Sequence, residues 1–168
     1  MRRTLAWAAI VVTALLLQST IFAQIKLGGA QPELMYLVTI VLAMLEGPAS
    51  GAVGGFSAGM AQDFLLNDPK GITALTLTLL GYVVGTVRQY ITTPSPTLPT
   101  LLVAAATAAG IIFYGFVSFL LGRLPGGFLF LLRVAFLSAL YNALLTPLLY
   151  PMIRRVAELS RTKKIFRW

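Results

Sequence analysis

Apolar residues run through this chain in long blocks. Short clusters of Gly, Pro and charge break the blocks. Runs 4–25, 72–87 and 92–122 contain no charged residue. The first and last exceed the ~20 residues needed to cross about 30 Å of hydrocarbon. Blocks and breaks together predict six helices, over 4–24, 32–45, 49–66, 72–91, 99–121 and 128–153. Lys26-Leu27-Gly28-Gly29 ends the first. Pro32 and Glu33 open the second as a first-turn proline and acid. Gly47-Pro48 separates the second from the third, and Asn67-Asp68-Pro69-Lys70-Gly71 is a tight turn before the fourth. Pro94, Pro96 and Pro99 precede the fifth, and Pro125-Gly126-Gly127 the sixth.

Composition places these helices in a membrane. Hydrophobic residues make up 58% of the 168 and charged ones 11%. A soluble domain of this size could not keep so much apolar surface from water. Run 4–25 is too long for a signal-peptide core, and Ala23-Gln24-Ile25 lacks a cleavage pattern, so it reads as a retained helix. The expected fold is therefore all-α, one polytopic membrane domain over 1–168 with a short basic C-terminal tail. With no Cys and no His, disulfides, thiolate sites and the commonest metal ligand drop out. No Walker A loop, dinucleotide fingerprint or metal-ligand spacing is present.

Charge sets the expected topology. Arg2 and Arg3 flank the start, and Arg154, Arg155, Arg161, Lys163, Lys164 and Arg167 the end. Basic flanks prefer the cytoplasm, and two cytoplasmic ends require an even number of crossings. The second helix is short, about 21 Å, and a re-entrant path for it would leave five. Charge argues for six. Arg88 then also lies inside, with only Lys26, Lys70 and Arg123 outside. A basic cytoplasmic flank accounts for the C-terminus without nucleic acid, and contact with the lipid bilayer is expected there.

The third helix carries the most unusual pattern. Gly47, Gly51, Gly55 and Gly59 recur every fourth residue, and Asp63 continues the row. On a helix this makes a ridge almost free of side chains. Each Gly costs about 1 kcal/mol relative to Ala in water, but in lipid small residues let helix backbones pack closely. The ridge either packs within its own bundle or receives a foreign helix. The small-residue patch Ala104, Ala105, Ala106, Ala108, Ala109 and Gly110 has the same two readings. Glu33, Asp63 and Arg133 all fall in the outer half of the membrane, where charges pair or face a wet cavity. A buried network is expected, with Arg133 the partner of Asp63 or Glu33. Glu33 and Asp63 are also the one acid pair placed for acid–base work. Tyr141 and Asn142 read as interhelical hydrogen-bond glue.

Four segments then carry a resemblance. They are Leu17-Gln18-Ser19-Thr20-Ile21-Phe22, Pro32-Glu33-Leu34, Gln62-Asp63-Phe64-Leu65 after the Gly-rich helix, and Asp68-Pro69-Lys70-Gly71-Ile72-Thr73-Ala74-Leu75. In this order and spacing the chain resembles the bacterial rod shape-determining MreD family. Glu33 stands where the family often has Asp, and Lys70 where it often has Leu. The diagnostic part covers 17–88, and the second half is similar in hydropathy only.

The resemblance implies a non-enzymatic scaffold of the cell-elongation machinery in the bacterial inner membrane, with both termini cytoplasmic. It implies binding to the single-span protein MreC. Through MreC it implies links to the MreB filament and the RodA–penicillin-binding-protein synthase of peptidoglycan. It implies no cofactor. Gly51, Gly55, Gly59, Gln62, Asp63 and Glu33 are the expected partner-binding residues. The family's fold also resembles the substrate-capturing subunits of energy-coupling-factor importers, which supplies an alternative function as a vitamin-binding module. Such modules often carry an Ala-x-x-x-Ala pattern on their first helix. Here Ala6, Ala8, Ala9 and Ala14 include no two four apart.

Overall fold

The structure, a computed structural model, describes residues 2–20, 30–65, 71–91, 97–122 and 127–160. They form six helices: α1 (Arg2–Thr20), α2 (Leu34–Glu46), α3 (Pro48–Leu65), α4 (Ile72–Tyr90), α5 (Leu98–Leu120) and α6 (Gly127–Ser160). The order matches the six blocks of the sequence. Expected helix 1 beyond Thr20, the turn at 67–70 and the basic tail at 161–168 lie outside the described residues.

The shortest helix forms the centre. α2 touches all five others, and Leu34 to Ala43 are buried without a break. A helix that is apolar all round belongs inside protein, and one enclosed by protein need not match the bilayer's thickness. That is why 13 residues suffice. α3 packs most extensively on α4, and α5 on α6. Both pairs are antiparallel: Gly51 lies beside Gly81 and Gly59 beside Ala74, while a Cβ on Gly115 would meet Leu131. The single residue Gly47 joins α2 to α3 at φ 89°, a left-handed conformation that favours glycine.

Within the apolar core lie buried polar side chains, and the outer surface is apolar. Gln18, Asp63, Thr107, Ser138 and Asn142 are buried, while Leu5, Phe56, Leu101, Phe136 and Leu144 are more than half exposed. In water this arrangement would aggregate, and in lipid it is the expected one. It marks a membrane protein. α5 and the apolar stretch Gly127–Leu159 are long and apolar enough to cross a membrane, and Leu5–Thr20 and Leu34–Glu46 are shorter apolar helices.

α6 runs seven residues beyond the expected 153. Ile153 and Ala157, one turn apart, are both buried, and Arg154 Nε donates to Glu158 Oε1 at 2.7 Å on an exposed neighbouring face. Inward packing and an i,i+4 pair thus extend the helix past two prolines inside it, Pro147 and Pro151. At the other end, α5 and α6 outrun their neighbours. The start of α2 sits level with Thr107 and Asn142, so from Thr107 to Leu120 α5 continues for about 20 Å more. Phe116, Phe119, Phe128 and Leu129 on this overhang are exposed accordingly.

Candidate functional site

The start of a helix leaves N–H groups that no carbonyl of the same helix can reach. Lipid offers no water to satisfy them. At α2 the neighbouring helices do so. Asn142 of α6, fully buried, holds the backbone of Glu33 at both ends. The Glu33 N–H donates to Asn142 Oδ1 at 3.1 Å, and Asn142 Nδ2 donates to the Glu33 carbonyl at 3.0 Å. The same Nδ2 donates to Thr107 Oγ1 of α5 at 3.1 Å. From α1, Gln18 Oε1 accepts the Met35 N–H at 3.1 Å, and Gln18 Nε2 donates to Glu33 Oε2 at 3.1 Å. Ser138 adds a bond to the carbonyl of Gln31. Four helices are thus tied at one level by groups that close the open end of α2. Asn142 is glue, as its type suggested. Gln18 was visible only as part of a motif, although an amide in an otherwise apolar block is itself a signal.

Asp63 does at α4 what these amides do at α2. Its Oδ2 accepts the N–H of Gly71 at 2.8 Å and of Ala74 at 3.2 Å. Gly71 takes φ 100°, which turns the chain back into α4. A carboxylate at a helix N-terminus meets the positive end of the macrodipole. This replaces the expected ion pair with Arg133. α3 and α6 do not touch among the described residues, and Arg133 is exposed on α6. The expected Glu33–Asp63–Arg133 network is therefore three separate features. The physical reason is what lies nearest to each acid: Asp63 meets the backbone N–H groups of Gly71 and Ala74, and the Glu33 carboxylate meets the side-chain amide of Gln18. Among the described residues, Asp63 Oδ1 and the buried Oε1 of neighbouring Gln62 have no hydrogen-bond partner.

The Gly ridge is occupied from within. A Cβ on Gly51 would lie 2.6 Å from the Gly81 carbonyl oxygen and from Ala43 Cβ. On Gly55 it would meet the carbonyl of Leu77, and on Gly59 the backbone of Ala74. α4 answers with its own glycines, since a Cβ on Gly81 would strike the Gly51 carbonyl and one on Gly85 would lie 2.5 Å from Pro48 Cα. The expectation that Gly51, Gly55 and Gly59 receive a foreign helix is corrected accordingly: α4 and α2 already fill that place. In the α5 patch, Ala106 and Gly110 face inward, Gly110 against Tyr36, while Ala105 and Ala109 are exposed.

A different surface of α3 is open. α1 and α3 stand apart over the second half of α2, leaving a groove of about 710 Å³. Trp7 and Ala8 of α1 form one wall, Ser50, Val53, Gly54 and Ser57 of α3 the other, and Leu42 with Glu46 of α2 the floor and one end. The lining is almost wholly apolar. Trp7 is 9% exposed, and its buried Nε1 meets no acceptor among the described residues. Nothing in the pattern of residues marks this groove, because it depends on the spacing of α1 and α3 over α2.

A family model described as rod shape-determining protein MreD matches residues 1–158. No curated protein and no solved structure is significantly similar to the chain.

Proposed function

The chain belongs to the rod shape-determining protein MreD family, and from that membership we propose that it is a non-enzymatic membrane scaffold of the cell-elongation machinery. The family itself implies a role in rod shape determination. The observation that carries the proposal is the reach of the match, which takes in α1 to α5 and nearly all of α6. In this reading the chain binds MreC, and through it supports MreB-guided peptidoglycan synthesis by the RodA–penicillin-binding-protein synthase. The use of the buried polar groups supports a structural role. Gln18, Asn142 and Asp63 each bind a helix start, as suits a rigid platform.

The chain in this reading crosses the inner membrane six times with both ends in the cytoplasm. Cysteines at Arg155 and Leu121 test that. An impermeant maleimide on intact cells should label Leu121→Cys and leave Arg155→Cys untouched, and the reverse pattern would invert the topology. For the function, depletion in the native rod-shaped cell should round the cells, and re-expression should restore rods. MreC should co-purify in mild detergent. Rods that persist through depletion with normal wall incorporation would sink the scaffold reading.

A further inference from the structure

We propose that Arg133 binds the phosphate of a phospholipid in the leaflet away from Arg155, and so fixes how deep the bundle sits in the membrane. This goes beyond the scaffold reading and needs only that α6 crosses the bilayer. α6 turns one stripe outward. Phe136, Leu140, Leu144, Leu148 and Met152 recur every three or four residues and are between 48% and 69% exposed. Arg133 ends this stripe on one side and Arg155 on the other, and both are exposed. Residues 134–153 carry no charge. Among the described residues Arg133 has no ion-pair partner. A cation on a face turned to lipid must reach polar surroundings.

Length decides where those surroundings are. Arg154 and Glu158 form an exposed ion pair, which belongs outside hydrocarbon and sets one boundary. From Arg155 back to Arg133 a helix rises about 33 Å. At the average tilt of about 20° this covers about 31 Å of depth, against a hydrocarbon thickness of about 30 Å. The two guanidinium groups therefore stand at the two boundaries together. The competing placement takes the apolar start of α6, Gly127 to Leu132, into the hydrocarbon as well. That rise is about 42 Å, and fitting it needs a tilt of about 45°, beyond the usual range of membrane helices. Phe128 and Leu129, 65% and 82% exposed, thus lie in the headgroup layer.

Charge and shape name the ligand. At the hydrocarbon boundary the anion within reach of a side chain is the lipid phosphate, and a planar guanidinium grips it through two parallel N–H bonds. Phe130 and Phe136, three residues to either side of Arg133, are exposed and offer apolar surface to the acyl chains of the same lipid. The depth this sets has a consequence for the bundle. Asn142, which closes the start of α2, lies about 14 Å beyond Arg133 along α6, close to the middle of the bilayer. α2 then occupies the part of the membrane on the Arg155 side.

The chain has no cysteine, so single cysteines on the full chain report depth. Nitroxides on Leu129→Cys, Phe136→Cys, Leu140→Cys, Leu144→Cys and Met152→Cys are placed in vesicles of phosphatidylglycerol and phosphatidylethanolamine. Their collisions with oxygen and with a nickel chelate are compared. Depth should be greatest at Leu144→Cys, midway between the two arginines, and Leu129→Cys should meet the chelate freely. A maximum at Phe136→Cys or Leu140→Cys, with Leu129→Cys shielded, would put Arg133 inside the hydrocarbon and overturn the proposal. Native mass spectrometry of the purified chain then reads the phosphate. Arg133→Gln should hold one phosphatidylglycerol fewer, bound about fivefold more weakly. A glycosyl diacylglycerol with the same acyl chains and no phosphate should bind as before. Arg133→Lys keeps the cation and should restore most of the binding. Unchanged phosphatidylglycerol binding by Arg133→Gln, or an equal loss of both lipids, would overturn the proposal too. Failure to recover MreC would sink the scaffold reading alone, since neither measurement uses a partner.

Discussion

Asn142→Ala should destabilise the bundle by about 2–3 kcal/mol. The figure follows from what the amide holds. Three hydrogen bonds are lost, but the Glu33 carbonyl keeps a second partner, the Leu37 N–H at 3.2 Å. Two groups are then stranded: the Glu33 N–H and the Thr107 hydroxyl. A stranded buried group costs about 1–3 kcal/mol. Interhelical bonds in membranes average only about 0.6 kcal/mol, because separated helices find other partners. The Thr107 hydroxyl belongs at that low end. The Glu33 N–H does not, since a helix-start donor has no alternative within its own helix. Thr107→Val should therefore cost well under 1 kcal/mol, and the double variant less than the sum, because the two residues share a bond. Unfolding in mixed micelles by added dodecyl sulfate, followed by circular dichroism, reads all four proteins. A loss below about 0.5 kcal/mol for Asn142→Ala, or equal losses for the two single variants, would mean that Asn142 fills space and does not close α2.

The same measurement separates the two accounts of Asp63. Asp63→Asn keeps an acceptor for α4 but loses its charge and should cost about 1 kcal/mol, whereas Asp63→Leu should cost about 2 kcal/mol. Arg133→Gln should stay within about 0.5 kcal/mol and add to Asp63→Asn without coupling; a coupling above about 1 kcal/mol would reinstate a direct pair. Gly55→Ala drives a Cβ into the Leu77 backbone and should cost about 1–3 kcal/mol, while at Gly54 the obstacle is the Leu42 side chain, which can rotate away at less cost. Gly71→Ala meets open space yet should still cost about 1–2 kcal/mol from its φ of 100°; a neutral Gly71→Ala would show that the turn relaxes freely.

The six helices were legible because their boundaries are written in Gly, Pro and charge, which act locally. The C-terminal extension of α6 was not, since it depends on Ile153 and Ala157 finding a neighbour. The acids show the same divide. That Glu33 and Asp63 each need a partner follows from depth alone. Which partner each finds is a matter of tertiary arrangement. Sequence offers Arg133 as the obvious cation, because backbone N–H groups occur at every residue and leave no mark. The Gly ridge announced close packing but not its direction. Gly81 and Gly85 on α4, at the matching four-residue interval, were the readable sign that α4 would be the one to fill it.

The central position of α2 has a consequence for biogenesis. Its start is closed by Asn142, 109 residues later in the chain. A chain emerging from the ribosome therefore carries α2 into the membrane with only part of its cap, Gln18 of α1 at the Met35 N–H. The thirteen residues of α2 are joined to α3 by one glycine. Until α6 arrives, the Glu33 N–H lacks the acceptor that lipid cannot provide. Synthesis of the last helix is thus the step that locks the first two, and a chain truncated before Asn142 would present quality-control proteases with an unlocked core.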